Sequence, residues 1–253
     1  MKKTLLFLLS TYGYITNSVV LAQSEQHFRA SIAVGSNFSQ MAGDGQAGYH
    51  KIGAALGVKG AYCFKPNFDV SAELMYNSRG SRSNPFTSKA TYLDKYVQLN
   101  AELNYADVAL AANFHFLPSQ NHTFYRQSLQ IGVSYGRLLS SNISVLRGIF
   151  RDDFIEGDLQ KTLRKDDIGF IIGYSWFFTQ RLGLAVKHVV SVRNAYDNPL
   201  NGLTNRDYLS FTPYNLNLQV VFNFTSPNLN IKSHTEKLKK AKEQRKRNPL
   251  EDL

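Results

Sequence analysis

The chain of 253 residues carries 29 Lys and Arg against 19 Asp and Glu, a formal charge of +10, and is rich in Tyr (14) and Phe (17). The length suits one large β domain or two ordinary ones. The N-terminus holds +2 through Lys2 and Lys3 and the segment after Thr225 holds +4, so the body between them carries only +4. With no zinc-ligand spacing, RNP-type aromatic motif or recognition helix beside it, this charge does not indicate a nucleic-acid partner.

The first segment has the form of a secretory signal: Lys2 and Lys3, the apolar run from Leu5 to Leu9, then Val20-Leu21-Ala22 before Gln23. These features predict a signal peptide over 1–22 and a mature chain from Gln23. The single Cys63 cannot form an internal disulfide and reads as a small strand residue. Downstream of the signal no run approaches the roughly 18 apolar residues of a membrane helix, so any span has to be built from strands.

Strands follow in order. From Phe28 to Phe38 the apolar residues Phe28, Ala30, Ile32, Val34 and Phe38 alternate with Arg29, Ser31, Ala33, Gly35 and Asn37. A second strand is predicted from Tyr49 to Phe64, a turn at Lys65-Pro66-Asn67, and a third strand from Phe68 to Ser78. If Phe64 faces Phe68 across a three-residue turn, antiparallel register sets Lys59 opposite Glu73 on the polar face. A fourth strand runs from Leu103 to Phe116, where Leu103 and Tyr105 break the parity and suggest a bulge or the start of a loop. A fifth follows from about Phe124 to Leu139.

The clearest hairpin lies between Asp166 and Arg193. Ile168 to Phe178 and Leu182 to Val192 flank the turn Thr179-Gln180-Arg181, each about the roughly 9 to 11 residues of a tilted membrane strand. A last strand, Tyr214 to Phe224, closes the set. The pattern predicts an all-β fold: a closed antiparallel up-and-down transmembrane β-barrel of about eight strands over 23–224, with a basic tail over 225–253. Connections near residues 41, 80, 141 and 195 are longer than the turns near 65, 118 and 180, as expected of an outer-membrane barrel with both termini periplasmic.

Alternation alone fits a secreted lipocalin-like binding barrel as well. The polar face favours the membrane reading, because it is built of Gly, Ala, Ser and Asn with few charges, and the interior of a small barrel is filled by such side chains. The lumen then holds Arg29, Lys51, Lys59, Arg126 and Lys187 against Asp69, Glu73 and Asp107. A self-neutralising polar plug is expected, with a narrow solute channel as the alternative. Tyr174, Trp176, Phe178, Phe222 and Phe224 are expected to face lipid near the interface.

Several motifs in the chain match a known family. Gly35-Ser36-Asn37-Phe38-Ser39-Gln40, Gly48-Tyr49-His50-Lys51-Ile52-Gly53, Glu73 to Gly80, Leu103-Asn104-Tyr105-Ala106-Asp107-Val108 and Asp167 to Gly173 form an ordered set. Together with the closing aromatic strand, the set resembles the PorT-family outer-membrane β-barrel proteins over about Phe28 to Phe224, with Ala109 standing where a proline is usual. The resemblance implies an outer-membrane barrel without shared catalytic residues, and a link to protein secretion through the family's founding member.

No catalytic residue, metal or cofactor is expected. His188 and Ser191, three apart, fall on opposite faces of a strand and cannot act together there. Asp152, Asp153, Glu156 and Asp158 lack the ligand spacing of a calcium loop. The expected partners are outer-membrane lipid, the barrel assembly machinery during biogenesis and, through the solvated tail from Lys232 to Arg247, a secretion-system component, anionic lipid or cell-wall polymer.

Overall fold

The computed structural model describes residues 27–42, 48–82, 98–147, 163–195, 212–225, 231–236 and 240. The expected signal segment, the acidic group from Asp152 to Asp158 and most of the tail lie outside them. Eight strands run β1 (Phe28–Ala42), β2 (Lys51–Lys65), β3 (Phe68–Ser81), β4 (Gln98–Pro118), β5 (Tyr125–Arg147), β6 (Asp166–Phe177), β7 (Leu182–Ser191) and β8 (Thr212–Asn223). Each pairs antiparallel with its neighbour in sequence, and β8 pairs with β1 to close the barrel.

The two faces separate as the alternation requires. Ile32, Val34, Leu74, Leu110, Ile131, Ile172 and Val220 are exposed on the outside, while Ser31, Asn37, Ser71, Asn113, Gln130, Asn217 and Gln219 are buried inside. A soluble barrel would hide its apolar face, so this inside-out arrangement removes the lipocalin-like alternative.

Short turns at Pro66–Asn67, between β4 and β5, and between β6 and β7 lie at the end that carries the first residue of β1 and the last of β8. We call it the terminal end. The opposite, loop end receives the connections 43–50, 82–97, 148–165 and 192–211.

Three local details differ from the sequence expectation. Lys59 does pair with Glu73, but the register shifts between Cys63 and Lys65, which places Phe68 opposite Lys65 rather than Phe64 and shortens the turn to Pro66–Asn67. The irregularity beside Leu103 and Tyr105 is real, yet its extra residue is Leu139 on β5: Tyr105 pairs with Leu138 and Asn104 with Ser140. Leu103 and Tyr105 keep their inward direction and are buried, and on β5 the buried position switches from Ser134 to Ile143 across the shift.

Strands also outrun the apolar band. β4 has 21 residues and β5 has 23, whereas roughly 9 to 11 suffice to cross a bilayer. Outward residues of β4 change from Leu110 and Val108, both exposed and apolar, to Asn104 and Glu102 toward the loop end. Beyond that change β4 and β5 continue with a polar outer face of Asn104, Glu102, Ser140 and Asn142, and β3 stays paired with β4 as far as Ser81–Ala101.

Candidate functional site

Among the described residues charge gathers in the interior, and the register stacks it in three tiers. At the terminal end Asp69 of β3 receives the Arg29 guanidinium at 3.3 Å and hydrogen bonds from Asn113 Nδ2 at 2.6 Å, and pairs with His115 Nε2 at 2.6 Å. His115 also stacks on Tyr125, with ring centroids 6.3 Å apart.

In the middle tier Glu73 lies between two lysines. Lys59 Nζ is 3.2 Å from its Oε1, Lys187 Nζ contacts Oε2, and Gln130 Nε2 donates to Oε1 at 2.7 Å. Lys59 also donates to Asn113 Oδ1 at 3.2 Å, which links this tier to the one below. Gly173 leaves the room: a Cβ there would lie 3.0 Å from Gln130 Oε1 and 3.2 Å from Lys187 Cγ.

The loop-end tier is built around Arg79, which is 2 % exposed. Its guanidinium reaches Asp167 Oδ2 at 2.6 Å, contacts Asp107 Oδ1 and lies 4.5 Å over the centre of the Tyr105 ring. Asn77 Nδ2 donates to Asp107 at 2.5 Å and Ser191 Oγ to Asp167 at 2.8 Å. A Cβ on Gly136 would come 2.4 Å from Asp107 Oδ1, so this tier needs glycine on β5.

Four cations (Arg29, Lys59, Lys187, Arg79) thus meet four carboxylates (Asp69, Glu73, Asp107, Asp167) in the lumen. Burying so many charges is tolerable only because each is paired and hydrogen-bonded. Little space is left. A cavity of about 20 Å³ lies between the lower tiers, lined by Arg29, Lys59, Glu73, His115, Phe177 and Lys187 among others. That is about the room of one water molecule. A second, of about 50 Å³, sits at the terminal mouth.

Lys59, Glu73, Asp69, Asp107 and Lys187 therefore come together inside the barrel, as expected from their parity. Arg126 does not join them: it is exposed and lines a hollow outside the lumen with Ser119, Gln120, Asn121, Thr123, Phe124 and Phe178. Its parity on β5 is that of Ser128 and Gln130, but it is one residue from the strand's start, where the barrel wall no longer encloses it. Lys51 lies at the loop-end rim, 3.4 Å from Glu102.

Arg79 and Asp167 were not among the expected lumen charges. Both share the odd parity of Glu73 and Lys187, which was the available signal, but they stand just outside the apolar runs Phe68–Ser78 and Ile168–Phe178.

Tyr174, Trp176, Phe178, Phe222 and Phe224 are all exposed on the outer face, and the Trp176–Phe178 and Phe222–Phe224 rings are 5.5 Å apart in each pair. His188 also points outward, 2.9 Å from Tyr49 Oη, while Ser191 is buried against Asp167 inside.

Among solved structures the chain is similar to the attachment invasion locus protein Ail of Yersinia pestis, with 12% identity over 79% of this chain and 100% of that one and a TM-score of 0.40. It is similar to Neisserial surface protein A, with 11% identity, 80% and 100% coverage and a TM-score of 0.39. Pseudomonas aeruginosa OprG matches at 14% identity, 79% and 95% coverage and a TM-score of 0.32. At these values the likenesses add nothing to the topology already read from the strands. Comparison with curated protein sequences finds no match. A family model described as the outer membrane protein beta-barrel domain matches residues 21–197. This closed barrel, apolar toward lipid and ion-paired within, belongs to that family of outer-membrane β-barrel proteins.

Proposed function

We propose that the protein is a non-enzymatic outer-membrane barrel that acts through its loop end, as a surface-binding protein or as a component of an envelope or secretion assembly. The observation that carries this reading is the contrast between a lumen filled by paired charges, whose inner cavity holds about 20 Å³, and an extension of β4 and β5 with a polar outer face that continues past the apolar band. Acidic and basic groups of the interior are engaged with one another, which leaves them no free role in catalysis or in passing solute.

In this reading residues 1–22 are a cleaved signal, both termini are periplasmic, and the β4–β5 extension and long connections face outward. The resemblance to PorT-type barrels makes protein secretion the specific assembly to test. The basic run from Lys232 to Arg247 is an envelope-side contact for anionic lipid or cell-wall polymer.

Affinity purification from detergent-solubilised outer membranes tests the proposal. Co-purification of envelope components with the full chain, lost when the β4–β5 extension beyond Asn104 and Ser140 is replaced by a short turn, is the expected result. Equal recovery from both proteins would remove the loop end from the account.

A further inference from the structure

The residue just before the solvated tail expected from Lys232 to Arg247 is buried. Residues 231–236 are helical, and Ile231 is 5% exposed, while Lys232 and Glu236 on the same turn face solvent. Ile231 lines the cavity of about 50 Å³ at the terminal mouth, with Arg29, His115, Tyr125, Phe177, Gln180 and Asn223 among its neighbours. These residues come from β1, β4, β5, β6, the β6–β7 turn and β8, so the cavity that Ile231 borders is the mouth of the barrel itself.

The turn is closed on itself, the Thr235 hydroxyl donating to the Ile231 carbonyl at 2.8 Å. The rim beneath is itself tied: Asn223 Nδ2 donates to the Gln180 carbonyl at 2.9 Å, and Gln180 Nε2 to the Thr123 carbonyl at 3.2 Å.

We propose that the C-terminal segment is a reversible stopper of the terminal mouth, seated through Ile231 over the Arg29–Asp69–His115 tier. The seat is an intramolecular docking site whose occupant is residues 231–236 of the chain itself. One buried aliphatic side chain favours docking by roughly tens-fold before the ordering of the segment is subtracted. With the ordering cost set against it, the seat is shallow enough for a partner that draws on the cationic residues after Ile231 to lift the segment away.

Closure has a built-in reporter. Cys63 is the only cysteine in the chain. It is buried behind the same tier, with Arg29 Nη2 3.8 Å from its Sγ. Releasing the stopper opens the route to it past Arg29.

The test uses the full chain in lipid nanodiscs, the Ile231→Asp variant and a chain ending at Ser226, each checked for an intact barrel by its heat-modifiable gel mobility. Backbone amides of 231–236 are expected to exchange with deuterium at least about 10-fold faster in Ile231→Asp than in the parent, with strand amides unchanged. A maleimide is expected to label Cys63 faster in both altered proteins. Tail amides that already exchange at the unprotected rate in the parent would overturn the docking. Loss of protection with no change at Cys63 would overturn the closure, leaving a docked arm that blocks nothing.

Discussion

The two ends of the lumen are closed by different means. At the loop end, Arg79, Asp107, Asp167, Asn77 and Ser191 are all carried on strands and packed into a cluster with Arg79 at 2% exposure. At the terminal end Arg29 keeps 16% side-chain exposure, a cavity of about 50 Å³ remains, and the cover is the segment at Ile231. A charge cluster fixed on four strands of a closed barrel is a permanent seal, because opening it strands buried ions. A cover supplied by one side chain on a separate segment is one that can move. Any regulated access to the interior therefore belongs to the terminal end.

Substitutions can separate the two ends. Arg79→Met would leave Asp107 and Asp167 buried without their cation, and the expected loss is about 3–5 kcal/mol of folding stability, measured by urea unfolding in lipid vesicles. A loss under about 1 kcal/mol would mean water already serves those carboxylates. Asp69→Asn at the terminal end should cost less, about 1–3 kcal/mol, because Arg29 borders the mouth and can be solvated there, while the amide oxygen still accepts from Asn113 and its NH2 can donate to an unprotonated His115 Nε2. Arg126→Ala, outside the lumen, should change stability by no more than about 0.5 kcal/mol in the same assay. Were Asp69→Asn as costly as Arg79→Met, the two ends would be equally sealed and the comparison would fail.

Much of this was legible in the chain. Period-two alternation gave the faces of all eight strands, because a barrel wall has lipid on one side and a narrow polar interior on the other. The Lys59–Glu73 pairing followed from the position of the Pro66 turn, and survived because the register shift falls at Phe64, beyond Lys59. The misses share one physical cause. Apolar alternation ends where lipid ends, whereas backbone pairing continues, so Arg79 and Asp167 fell just outside the apolar runs though both sit in the ladder. Arg126 is the converse, a residue of inward parity at a strand end where there is no longer an inside. The seating of Ile231 had only one apolar residue to announce it, and depends on a mouth assembled from distant strands.

The central claim is that paired side chains fill the lumen and the loop-end seal is permanent. Single-channel recording in planar lipid bilayers tests this most directly, comparing the parent with the chain ending at Ser226. Neither is expected to show steps of conductance, since removing the stopper exposes the terminal tier but leaves the Glu73 and Arg79 tiers in place. Stable, ohmic steps from the parent protein would contradict the account.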